Sequence, residues 1–188
     1  MIRVAIHSVP RSGSTWVGEI INSSKFVKYS FQPLFSYKFK NYLSDVSSSK
    51  NIKDFFQMLG ECDDSFTNQK QERIEKTLPS FQKAKNFSHV VYKEVRYHHI
   101  LDNMLLKDNN LKLVLIIRNP IDIMNSWVNS PKEFNPSWSI ENELMDGKLK
   151  NLGKRENFYG LNAWINTTKK FLTLSDEYHS QVKIVKYS

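Results

Sequence analysis

Two short stretches of this 188-residue chain combine residue types suited to gripping anions. In the first, Pro10-Arg11-Ser12-Gly13-Ser14-Thr15-Trp16 follows the apolar run Val4-Ala5-Ile6 and precedes a helix-period pattern. A strand, a turn and a helix in that order leave the first helical N–H groups unpaired, with partial positive charge gathered at the turn. Gly13 lets the backbone approach an oxyanion, while Ser12, Ser14 and Thr15 add hydroxyl donors. Arg11 adds a planar fork of charged donors. The helix that follows is expected to pack through Trp16, Val17, Ile20 and Ile21, which share one face.

The second stretch runs Leu113-Val114-Leu115-Ile116-Ile117-Arg118-Asn119-Pro120-Ile121-Asp122 and continues through Ser126 and Trp127. It sets Arg118 at the carboxyl end of a run that is apolar on both faces, as a buried parallel strand is, and ligands bind at that end of parallel sheets. Asn119 suits an N-cap, Pro120 the first helical position and Asp122 the first turn. Ile121, Met124 and Val128 form the expected apolar stripe. Asp122 and Ser126, four residues apart, share another face, so Arg118 and Ser126 can converge on one anion. A well-capped helix whose Arg118 pairs only with Asp122 would give the same pattern.

Both stretches need a scaffold, and the rest of the chain supplies one. Further strands are predicted at His89 to Val95, Leu111 to Arg118 and Val182 to Tyr187, with a short extended piece at Tyr29 to Gln32. Helices are clearest at Pro120 to Asn129 and Glu156 to Leu174. In the latter, Phe158, Leu161, Trp164, Ile165, Thr168, Phe171 and Leu172 recur at three and four residues, the signature of a core face. Residues 35–87 are rich in Lys, Asn and Ser and read as a helical insertion of two or three helices over one end of the sheet. The alternation argues for a single α/β domain over residues 1–188, a central, mainly parallel β-sheet flanked by helices.

Composition bounds the partners. Hydrophobic residues make up 40% and charged residues 24%, with no apolar run of membrane-spanning length. The first strand begins at once, so neither a signal peptide nor a membrane anchor is expected, and a cytoplasmic setting is. Cys62 is the single cysteine, which excludes an internal disulfide. A net charge of +8 suits an anionic ligand or an acidic surface, though scattered solubilising lysines would produce it too. Nucleic acid is not the expected partner: no recognisable nucleic-acid motif accompanies the charge, and the aromatics fall mostly in helix-core registers.

Pro10 to Trp16 together with Arg118-Asn119-Pro120-x-Asp122-x-x-x-Ser126 resembles the two signature motifs of sulfotransferases, whose donor is 3′-phosphoadenosine 5′-phosphosulfate. The resemblance implies a three-layer architecture like that of P-loop NTPases. It assigns Arg11, Ser12, Gly13, Ser14, Thr15 and Trp16 to the 5′-phosphosulfate, and Arg118 and Ser126 to the 3′-phosphate. The likeness covers Ile2 to about Ser130, and Trp164 with Val182 to Tyr187 resembles the family's later helix and strand. A P-loop kinase is the competing enzyme, since strand, glycine-containing loop and helix are shared. The first loop, however, lacks the lysine of G-x-x-x-x-G-K-[ST], and the later strand ends on Arg118 where a metal-binding aspartate would stand.

Sulfuryl transfer to a hydroxyl is carried by positioning and by cations, so Arg11 and the loop amides suffice for the leaving group and no metal is expected. Lys93 resembles a family lysine that contacts the sulfuryl group; a surface lysine at a strand end would look the same. The base departs from two family patterns. Cytosolic members carry a histidine two residues after that lysine, where this chain has Val95. Carbohydrate and tyrosine sulfotransferases carry a glutamate in a segment resembling Phe31-Gln32-Pro33-Leu34, where this chain has Gln32, and an amide cannot take a proton. Glu94 is the nearest replacement, with His98 and His99 as further candidates and His7 as a packed core residue. Glu94 could equally balance the charge of Lys93 or Arg96. By resemblance alone the acceptor is a glycan or small-molecule hydroxyl, on which Trp127, Trp138 and Tyr97 could stack. In relatives the last strand runs on into an acidic turn and a further segment that helps enclose the nucleotide; here the sequence stops at Ser188, so that part of the family fold is expected to be missing.

Overall fold

A computed structural model describes residues 1–187. Five strands, β1 (Ile2–Ser8), β2 (Val27–Phe31), β3 (His89–Glu94), β4 (Leu111–Arg118) and β5 (Val182–Tyr187), form one sheet in the order β2-β3-β1-β4-β5. Every pairing is parallel. The order turns back on either side of β1, so β1 and β4 are neighbours whose following turns open at the same sheet edge. Their register, Ser8 beside Ile116, brings the two stretches expected to bind anions together.

Each side of the sheet carries its own core. On one side Tyr92, Leu113 and Leu115 pack with α2 (Ser49–Glu61) and α4 (Leu101–Lys107) through Ile52, Phe55, Phe56, Leu59, Leu101 and Met104. Phe171 and Leu174 of the last long helix (Leu161–Glu177) complete that side. On the other, Ile6, Val91 and Ile116 meet Val17 and Ile21 of α1 (Ser14–Asn22). The segment expected to cap one end of the sheet therefore supplies core: α2 starts at a Ser48–Asn51 capping box and buries four residues. A short α3 (Lys70–Ile74) follows, and its Arg73 pairs with Glu19 of α1 at 2.8 Å. No described helix is long and apolar enough to cross a membrane.

Three helix faces differ from expectation. Trp16 is 62% and Ile20 51% exposed; α1 buries Ser14, Gly18, Glu19 and Asn22 instead. The reason is close approach, since a Cβ on Gly18 would lie 2.3 Å from the Tyr29 hydroxyl. A helix so near the sheet needs small residues on its inner face. In α5 (Pro120–Val128) Ile123 and Trp127 are buried, whereas Ile121 is 75% exposed and lines an apolar groove with Met124 and Val128. The last long helix begins at Leu161, not Glu156: Gly160, at φ 98°, sits against the backbone of Met145 and Asp146 and forces a turn. Phe158 consequently lies in the preceding loop, its ring 4.3 Å from that of His98. Leu172 faces outward.

Candidate active site

A cleft of about 350 Å³ opens at the carboxyl ends of β1, β3 and β4. Its walls carry Arg11, Gly13, Ser14, Thr15, Lys93 and Arg118 from the strand-end segments and Ser126 from α5, together with Gln32, Arg96, Glu133 and Tyr159. Among the described residues, four cations therefore face one carboxylate.

The first turn is conformationally committed. Arg11 (φ 68°) and Gly13 (φ 78°) are both left-handed, and only the glycine is at ease there. A Cβ on Gly13 would also meet the ring of Tyr187 at 2.7 Å. Ser12 is wholly buried, and its hydroxyl has no hydrogen-bond partner among the described residues. The second turn is capped as expected: Asn119 accepts from the Ile121 N–H at 2.9 Å, with Pro120 at the first helical position.

Side chains knit the two turns into one site. Arg11 Nε donates to Ser126 Oγ at 3.1 Å, and Arg118 donates to the Arg11 carbonyl at 3.1 Å. The Arg118 guanidinium also lies 5.2 Å from the Tyr187 ring centroid, so the end of β5 touches both turns. Asp122 stands 3.8 Å from Arg118 Nε, an ion pair without a hydrogen bond, and that buried Nε is otherwise unpartnered among the described residues. The turns thus offer unused donors in a common cleft, as a ligand with separated anionic groups requires.

On β3 the alternation of a strand separates two neighbours that sequence alone sets side by side. Lys93 points into the cleft, buried, with its ammonium 4.4 Å from the Phe31 ring centroid. Burial lowers its pKa to about 8. Glu94 is fully buried and does not line the cleft; one carboxylate oxygen accepts from the Val95 N–H at 3.1 Å and the other has no partner among the described residues. Burial raises its pKa to about 7. The expected position at the mouth of the site is therefore corrected to the packed face of the sheet that holds Tyr92.

The histidines also lie elsewhere. His7 and His98 are buried with their Nδ1 atoms 3.1 Å apart, and His7 Nε2 is 3.1 Å from the Tyr92 hydroxyl. Burial lowers His7 to about 3 and His98 well below the ordinary value. His99 lines a separate cavity. The candidate stacking platforms are corrected too: Trp127 and Tyr97 are core, Trp138 packs against Phe134, and none lines the cleft.

Three cleft residues, Arg96, Glu133 and Tyr159, carried no earlier assignment, nor did Tyr187 beside the first turn. Arg96 is fixed over the Phe35 ring and donates to Gln32 and to Asn157. Glu133 accepts from the Tyr159 hydroxyl and from Lys150, each at 2.7 Å. Tyr187 covers the first turn. No local pattern marks these positions; only their strand-end or loop placement could have raised them.

In overall fold the chain is similar to a sulfotransferase from Alicyclobacillus acidocaldarius, with TM-score 0.53, 10% identity, and 99% of this chain and 73% of that one covered. It is likewise similar to a sulfotransferase domain from the curacin biosynthetic pathway, with TM-score 0.51, 15% identity, and coverage of 98% and 66%. Mouse sulfotransferase SULT7A1, solved in complex with PAP, overlaps with TM-score 0.45 and 13% identity over 99% of this chain and 52% of that one. The chain thus spans about half the length of that relative. No curated protein sequence matches it. The sequence pattern of the sulfotransferase domain, by contrast, matches residues 2–187, and the chain belongs to that family.

Proposed function

We propose that the cleft binds 3′-phosphoadenosine 5′-phosphosulfate and passes its sulfuryl group to a hydroxyl of a glycan or small-molecule acceptor. The observation that carries this reading is the pair of contacts, Arg11 to Ser126 and Arg118 to the Arg11 carbonyl, that makes one cleft of two anion-binding turns. A nucleotide with charge at both ends has a use for both. The buried Ser12 hydroxyl without a partner, the left-handed turn and, among the described residues, four cations against one carboxylate fit such a ligand.

In this reading the amides after Gly13, the Arg11 guanidinium and the hydroxyls of Ser12, Ser14 and Thr15 hold the 5′ end. Arg118 and Ser126 hold the 3′-phosphate. Trp16, exposed beside the loop, offers a ring face to the base. The bound donor supplies the sulfuryl group and a phosphate leaving group. Lys93 presents its cation where charge develops, and burial between Phe31 and the strand keeps it from wandering. Arg11 offsets the charge left on the phosphate.

Calorimetric titration with 3′,5′-bisphosphoadenosine and with ATP tests the assignment. The bisphosphate is expected to bind at micromolar strength or better and ATP much more weakly, with Arg11→Ala weakening the former. Preference for ATP would favour the kinase reading and end this one.

A further inference from the structure

We propose that Glu133 is the general base of the reaction, a role that rests on the sulfotransferase reading above. Among the described residues it is the single carboxylate lining the cleft, on a wall that also carries Arg96 and Tyr159. Both of its side-chain partners bind one oxygen: the Tyr159 hydroxyl and the Lys150 ammonium reach Oε2 at 2.7 Å. Oε1 takes no hydrogen bond among the described residues, and the side chain is 32% exposed. One oxygen is thus fixed and its twin is free, the arrangement that lets a carboxylate receive a proton without turning.

The support behind Glu133 ties it to the donor site. Trp127, next to Ser126 on α5, is buried, and its indole N–H donates to the Glu133 carbonyl at 3.3 Å. Its ring also packs on Phe134 and Tyr159 with centroids 5.3 and 5.2 Å away. The helix that brings Ser126 to Arg11 therefore also fixes where the carboxylate sits. Glu94, His98 and His99 line no part of this cleft, and Gln32 spends its carbonyl oxygen on Arg96.

Burial alone would raise the Glu133 carboxyl, but hydrogen bonds from Lys150 and Tyr159 outweigh it and hold the group below its ordinary value. It is ionised throughout the neutral range. Such a carboxylate is a weak base towards a free alcohol, yet the acceptor oxygen becomes a far stronger acid as it bonds to sulfur. In balance, the acceptor oxygen forms a bond to sulfur and the sulfur–oxygen bond to the 5′-phosphate breaks, its electron pair staying on the phosphate. The acceptor proton passes to Oε1 of Glu133, which returns it to water.

The test compares the unaltered protein with Glu133→Gln, Tyr159→Phe and Lys150→Met. Donor cleavage is followed with water as the acceptor, and again with 4-nitrophenolate, which brings no proton. Glu133→Gln is expected to lower turnover with water by about 100-fold, to leave 4-nitrophenolate turnover within about 2-fold, and to leave bisphosphate affinity unchanged by calorimetry. Carboxyl NMR of the ligand-free protein adds a readout independent of turnover: Glu133 should titrate below its ordinary value, and Lys150→Met should shift it upward, with Tyr159→Phe doing so less. Undiminished cleavage by Glu133→Gln with bisphosphate binding intact would overturn the base and leave the sulfotransferase reading standing. Loss of bisphosphate binding in the unaltered protein would overturn that reading itself.

Discussion

At the donor end of the cleft Arg11 and Arg118 follow two hydrogen-bonded neighbours of one parallel sheet, β1 and β4, so strand register sets their separation. Along the opposite wall Gln32, Arg96, Glu133 and Tyr159 come from four separate segments, held by side-chain bonds such as Arg96 to Gln32 and Tyr159 to Glu133. The proposed donor end is fixed by backbone and the opposite wall by side chains. One should therefore tolerate little change in geometry, while the other can be rebuilt for a different acceptor on the same sheet.

The largest expected effect falls at the donor end. Arg11→Ala removes a charged donor from the turn and releases Ser126, and bisphosphate affinity should fall by about 100-fold by calorimetry. A change of less than about 3-fold would mean that backbone amides alone grip the ligand. Lys93→Met should cost about 100-fold in turnover with a much smaller loss of bisphosphate affinity, separating a group that acts on developing charge from one that holds the ground state. Because Lys93 is charged only below its lowered pKa, turnover should also decline as pH rises through about 8, and Lys93→Arg should move that limb upward.

Backbone commitment can be probed by itself. Gly13→Ala places a Cβ against Tyr187 in a left-handed conformation, and should destabilise the fold by about 1–2 kcal/mol in urea melts while weakening bisphosphate binding. An unaltered melting midpoint would argue that the turn relaxes freely.

The effect furthest from the donor end concerns the carboxylate behind β3. Folded Glu94 keeps its proton up to about pH 7, whereas the unfolded chain releases it near 4.5. Its contribution therefore favours the fold in acid and is lost as pH rises through that window. Glu94→Gln should match the unaltered protein near pH 4.5 and exceed it above pH 7 by roughly 1–3 kcal/mol. A variant less stable than the unaltered protein above pH 7, and matching it in acid, would show that the ionised form has an unseen partner.

What could be read in the sequence divides along the same line. The two turns announce themselves locally, because Gly13, Asn119 and Pro120 are demanded by backbone geometry within a few residues. The strands were legible as short apolar runs, and α1, α5 and most of the last long helix by their periodicity, whereas α2 and α4 were not placed. The inner face of α1 was not legible, since nothing in Trp16 or Ile20 reveals that Tyr29 crowds the helix and favours Gly18 at the contact. The roles of Glu94 and Glu133 were hidden more deeply. Adjacency to Lys93 suggested Glu94, but strand pleating sends neighbours to opposite faces. Glu133 reaches the cleft from a loop that Trp127, buried on α5, fastens. Such tertiary placement has no period or spacing to betray it.

The central claim is that Arg11 and Arg118 grip opposite ends of one nucleotide. Parallel calorimetric titrations with 3′,5′-bisphosphoadenosine and with adenosine 5′-phosphate, in the unaltered protein and in Arg118→Ala, test it most directly. The account predicts at least a 10-fold preference for the bisphosphate, abolished by the substitution while adenosine 5′-phosphate binds as before. Equal affinity for the two nucleotides in the unaltered protein would contradict it.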